Sequence, residues 1–69
     1  MERQHTETLF RRYKGKLVKL KTMSGNVYSG RVGEITNDYV SLINREAEDE
    51  IQNFVFFEAM ESLVVMESP

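Results

Sequence analysis

The sequence predicts a small, mainly β domain of the α+β class, in which one N-terminal helix precedes a strongly bent five-stranded antiparallel barrel. Three observations predict it. An apolar stripe at helical spacing occupies the first segment, and beyond Gly15 the apolar period changes to two. Turn residues then punctuate the chain at short intervals, and two glycines interrupt its longest strand. Length sets the scale, because 69 residues make a single domain, 1–69. A chain of this size buries only about 60% of the surface that its unfolded form exposes.

The helix is predicted over about 3–14. Thr6, Leu9, Phe10 and Tyr13 recur at i, i+3, i+4 and i+7, while Glu7, Arg11, Arg12 and Lys14 cover the other side. Gly15 ends it. The strands are expected over about 16–67. In the first, Val18, Leu20 and Thr22 alternate with Leu17, Lys19, Lys21 and Met23, the pattern of a half-buried strand. Ser24, Gly25 and Asn26 suit a hairpin turn. The second strand is predicted at 27–35, and Gly30 and Gly33 inside it mark a bulge or bend, which implies curvature. Thr36, Asn37 and Asp38 form the next turn, 39–43 a third strand, and 44–50 a charged loop. A fourth strand follows at 51–57, a short connection at 58–60, and a fifth strand at about 62–66.

Composition narrows the function. Hydrophobic residues make up 41% and charged residues 29%, as in globular chains. There is no cysteine, which removes disulfides, thiolate metal sites and cysteine nucleophiles together. Apolar runs are far shorter than the roughly 20 residues that span a bilayer, so no membrane association is expected. The polar start of the chain lacks the pattern of a secretory signal, and a cytoplasmic location is the expectation. Net charge is −2, yet it is divided unevenly. Up to position 31 eight basic side chains face two acidic ones, a balance of +6, and after it one basic faces nine acidic, a balance of −8. A basic face could therefore attract polyanions, although two solvated faces explain the same pattern.

Catalysis finds little support, and no cofactor or metal is expected. His5 has no evident nucleophile or carboxylate partner, and no Gly-rich phosphate loop or nucleophile elbow is present. Glu46, Glu48, Asp49 and Glu50 fall in one loop and lack the spacing of a calcium loop. The last two strands are more informative. Phe54-Val55-Phe56-Phe57 and Leu63-Val64-Val65-Met66 are apolar on both faces, although connectivity puts them at the sheet edges, and Phe54, Phe56, Leu63, Val64 and Val65 are the candidate interface residues. Pairing the fourth strand of one copy with the fifth of the next would cover both, a heterologous contact that can close a ring. Cover by the N-terminal helix within one chain is the alternative.

The stretch 16–42 resembles the first signature of the Sm-like family, which includes the Sm, Lsm and bacterial Hfq proteins. Its frame is Gly25, an apolar residue three on at Tyr28, a second glycine at Gly30, then Val32, Ile35 and an apolar third strand. Phe56-Phe57-Glu58-Ala59-Met60-Glu61-Ser62-Leu63 is similar to the shorter second signature. The resemblance spans nearly the whole chain and implies a homo-oligomeric ring of about five to seven subunits that binds single-stranded RNA. It implies base contacts in the loop after the second strand, at Asn37, Asp38 and Tyr39, and in the turn before the fifth, at Phe57 and Glu58. It also places Arg11, Arg12, Lys14 and Lys16 on an outer rim able to contact phosphates. The same basic residues would stabilise a helix C-terminus by about 0.3–1 kcal/mol each.

The chain departs from the family pattern at three places. Glu58 is acidic where Hfq proteins are basic, Thr36 takes the position of the usual aspartate, and Lys21 that of a stacking aromatic. Two function classes follow: a ring-forming RNA-binding protein, and an oligomeric assembly or adaptor module that binds protein and has lost RNA. A monomeric SH3-like barrel within a larger complex is the third expectation.

Overall fold

A computed structural model of the chain describes residues 3–46 and 49–66. Helix α1 (Arg3–Arg12) leads into five strands, β1 (Leu17–Thr22), β2 (Val27–Ile35), β3 (Tyr39–Glu46), β4 (Asp49–Phe56) and β5 (Met60–Val65), with a 3-10 turn (Phe57–Ala59) between the last two. The strands form one sheet in the order β4-β3-β2-β1-β5, and every neighbouring pair is antiparallel. The expected class and element order are therefore present. The sheet is bent but open, with β4 and β5 as its two edges rather than a closed seam.

The helix stops earlier than its stripe suggests. Tyr13 N–H donates to the Phe10 carbonyl and Lys16 N–H to the Tyr13 carbonyl, which turns the chain through 13–16. Gly15 stands at φ +80°, a conformation that other residues adopt only with strain, and its N–H reaches the Val32 carbonyl at 2.8 Å. The helix end is thereby tied to the middle of β2. Phe10 is fully buried and stacks on Phe57, with centroids 5.8 Å apart and planes 8° apart. Thr6 is buried beside it on the same stripe.

In β1 the predicted alternation holds. Val18, Leu20 and Thr22 are buried while Lys19 and Lys21 are exposed. The Thr22 hydroxyl is satisfied within the following turn by Ser24 Oγ at 2.9 Å, and Gly25 N–H donates to the Thr22 carbonyl. The core gathers Val18, Leu20, Val32, Val40, Leu42, Val55 and Met60 around the two stacked phenylalanines.

The bend in β2 is a one-residue bulge. Val32 faces Leu42 and Ile35 faces Val40, so three steps on β2 match two on β3. The Glu34 N–H freed by the bulge donates to Ser41 Oγ at 2.8 Å, and that hydroxyl also accepts from Gln52 Nε2. A Cβ at Gly33 would lie 2.7 Å from Ile43 Cδ1 and 2.8 Å from Ser41 Oγ, so a larger residue there would have to displace these side chains.

Two expectations need correction. Residues 44–46 and 49–50 are strand rather than loop: β3 and β4 stay paired through Asn44 with Ile51, Arg45 with Glu50 and Glu46 with Asp49. Arg45 and Glu50, exposed and of opposite charge, sit opposite each other and favour that pairing. Positions 47 and 48, counted with that loop, lie outside the described residues. The fifth strand begins at Met60, two residues early, because the 3-10 turn is short and Met23 N–H is bonded to the Ala59 carbonyl at 2.7 Å. Position 67, the expected limit of the strands, also lies outside the described residues.

Candidate nucleic-acid interface

Arg11 and Arg12 occupy the last turn of α1, and Lys14 and Lys16 follow within the turn. Their charges are not equivalent. Arg11 Nη2 lies 2.7 Å from Glu7 Oε2, an exposed i,i+4 pair that neutralises it locally. Arg12 and Lys14 are exposed, and Lys16 is half-buried. Arg31, from β2, donates from Nη1 to the Gly15 carbonyl at 3.2 Å, so a fifth basic group joins the segment across the fold. Cations here also meet the carbonyl end of the helix.

The two loops named as base contacts come together. The Asp38 carbonyl accepts from Phe57 N–H at 2.9 Å, which fixes the 36–39 turn against the 3-10 turn. Thr36 organises the first of these, its Oγ1 accepting from Asp38 N–H at 3.1 Å and Tyr39 N–H at 3.0 Å. Asn37, Asp38 and Glu58 are exposed. Phe57 is a correction to the expected base contact: with 0% exposure and its ring against Phe10, it is a core residue and presents no face to a base.

Tyr39 belongs to a different surface. Its ring meets Phe54 and Phe56 edge to face, at centroid distances of 5.5 Å and 5.7 Å. Its hydroxyl donates to Glu34 Oε1 at 3.0 Å. That hydrogen bond, followed by partial desolvation and the Glu34 charge, holds the phenol above its ordinary pKa. The three rings make an aromatic cluster on the outer face of β3 and β4.

The residues expected at a subunit interface divide in two. Phe54 is 51% exposed, and Phe56 and Val64 are each 56% exposed, on the two edge strands. Leu63 and Val65 are half-buried and pack against the core through β1. The aromatic cluster and the approach of Arg31 to the helix end were missed in the sequence. Register was the missing signal, since Tyr39 faces Phe56 only once the β3–β4 pairing is known.

Among the described residues, no three His, Cys, Asp or Glu side chains group to hold a metal ion, and no helix is long and apolar enough to cross a membrane. Comparison with family models, with curated proteins and with solved structures found no match to this chain.

Proposed function

We propose that the protein is an Sm-like, non-enzymatic cytoplasmic subunit that pairs β4 with β5 of the next copy into a ring and binds single-stranded RNA. The observation that carries the reading is the pair of open edges. They differ in sequence and lie at opposite ends of one sheet, and both present exposed apolar side chains, Phe54 and Phe56 on one and Val64 on the other. Unpaired apolar edges are liabilities in a protein that acts alone. A head-to-tail contact between unlike edges repeats, and it closes when the rotation permits, at about five to seven copies in the family the sequence resembles.

The RNA contacts are assigned to Arg12, Lys14 and Lys16, with Arg11 contributing less because of Glu7, and the mode is phosphate contact without sequence preference. Asn37 and Asp38 contribute less than this basic segment. The adaptor reading has its own support in Asp38 and Glu58, two exposed acidic residues on adjoining turns, where a phosphate chain would be repelled.

Native mass spectrometry of the purified protein, alone and with a short mixed-sequence RNA at two ammonium acetate concentrations, tests both parts. A closed oligomer that takes up RNA and loses it as salt rises is the expected result. A monomer at micromolar concentration defeats the ring, and a ring without RNA at either salt leaves the adaptor. Val64→Asp is expected to give monomers. Arg11→Glu with Arg12→Glu is expected to weaken RNA binding more than Asn37→Ala, and the reverse order would move the site to the loops.

A further inference from the structure

A groove of about 570 Å³ lies at the end of the sheet away from the aromatic cluster, where Leu17, Arg31 and Ile43 meet Val32 and Asn44. That volume lies within the roughly 300–1,000 Å³ of small-ligand sites. Cross-strand register builds it. Leu17 faces Arg31 and Arg31 faces Ile43, which puts the three in one row across β1, β2 and β3. Two residues further along β3, on the same face, Arg45 stands opposite Glu50. Arg31 and Arg45 thus flank Ile43, on neighbouring strands and neighbouring rows.

The lining has a definite chemistry. Half-buried Leu17 and Ile43 form an apolar floor. The bond from Arg31 to the Gly15 carbonyl fixes that guanidinium at the wall, and Lys14 and Lys16 flank Gly15 in the chain. Asn44, its amide anchored on the Ser29 carbonyl, adds a fixed polar edge. An anion with an apolar body suits this arrangement, since two guanidiniums can grip a phosphate while the floor takes a flat ring or a sugar. Glu50 selects further. The Glu50 carboxylate, opposite Arg45, accepts hydrogen bonds from hydroxyl or exocyclic amino groups, which bare inorganic phosphate does not offer as a sugar and base do. A ribonucleotide supplies all of these.

We infer that this groove seats one nucleotide unit of a single-stranded RNA, with its phosphate between Arg31 and Arg45 and its sugar and base over Leu17 and Ile43. The inference rests on the RNA-binding reading and gives it a defined seat apart from both loops. It joins the helix-end basic segment to the sheet face through Gly15. A strand running along Arg12, Lys14 and Lys16 would then place one phosphate in the groove.

The test is amide NMR of the full chain titrated separately with adenosine 5′-monophosphate, inorganic phosphate and a short mixed-sequence RNA, alongside RNA affinity measured against salt. The nucleotide is expected to shift the Leu17, Ile43, Asn44 and Arg45 amides, and inorganic phosphate to shift them less. Arg31→Gln with Arg45→Gln is expected to remove those shifts and weaken RNA binding about tenfold or more. The same pair should flatten the salt slope by about 0.7, the value of one phosphate contact on a single strand. Glutamine keeps an N–H donor for Gly15, and Arg45→Gln alone, at an exposed site, guards against loss of fold.

Unmoved groove amides together with unchanged RNA affinity in Arg45→Gln would overturn the inference, while RNA loss in the helix variants would keep the broader reading. Nucleotide shifts in the groove without RNA binding would sustain the site and remove the RNA reading. Silence from all three probes removes both.

Discussion

Phe56 and Phe57 are adjacent in the chain and belong to opposite worlds. On the helix side, Phe57 stacks on Phe10 with no exposure, within a cluster of buried apolar residues. On the outer side of β3 and β4, Phe56 and Phe54 lean on Tyr39 and stay about half exposed. One region has completed its burial within a single chain, and the other has not. Apolar area left over on an edge strand is the feature on which the proposed ring rests.

The largest expected effect breaks this comparison directly. Phe57→Ala empties a fully buried position and is expected to cost about 3–5 kcal/mol, enough to unfold much of a domain whose whole stability is of that order. Phe56→Ala is expected to stay within about 0.5 kcal/mol for the isolated chain. Urea denaturation of both, at a concentration where the protein is monomeric, measures the difference. Equal losses would mean that the two regions are packed alike and that no partner need be sought.

Intermediate effects belong to the bulge, where the inner and outer layers meet. Ser41 lies on the outer side of β3 yet has no exposure, and its hydroxyl accepts from the Glu34 N–H and from Gln52. Ser41→Ala leaves the Glu34 N–H without its acceptor and is expected to cost about 1–3 kcal/mol. Gly33→Ala drives a methyl group against Ser41 and Ile43 and is expected to cost a similar amount, about 1–3 kcal/mol. Thermal melts of both variants sharpen the contrast, since exposed sites one strand away should tolerate the same changes. A neutral Gly33→Ala would show that Ile43 moves aside freely and that the bend does not depend on this glycine.

What was legible in the sequence follows the same division. Val18, Leu20 and Thr22 alternate with lysines because β1 lies in the interior of the sheet with one wet face, and periodicity reads such a strand well. The helix stripe and the turns at Gly15 and Gly25 were equally plain. The β3–β4 hairpin was hidden, because main-chain pairing continues through Asn44, Arg45 and Glu46, where side-chain pattern suggests a loop. Phe57 was misread for a related reason: a turn residue that plugs the core from the sheet's end has no alternation to mark it. The groove was invisible for another, since Leu17, Arg31, Ile43 and Arg45 converge only through the register of three pairings. The charge division of the chain was legible from the start, but which arginines would be paired, as Arg11 is with Glu7, required the structure.

The smallest effect lies wholly on the outer face. The Tyr39 phenol is held above its ordinary pKa first by donating to Glu34, then by desolvation and by the Glu34 charge. A raised pKa means that the folded chain keeps this proton more tightly than the unfolded one. The contribution is therefore complete below the unfolded phenol value and is lost as pH rises through the folded one. Neutral pH leaves it untouched. Ultraviolet titration of the folded protein is expected to show one of its three tyrosines ionising later than a free phenol, and Glu34→Gln to advance that step by removing the charge while keeping an acceptor oxygen. Tyr39→Phe should abolish it and leave neutral-pH stability nearly unchanged. A marked loss of stability in Tyr39→Phe at neutral pH would place Tyr39 with Phe57 among the structural residues. The aromatic cluster would then be part of the monomer's own core rather than a surface held ready for a partner.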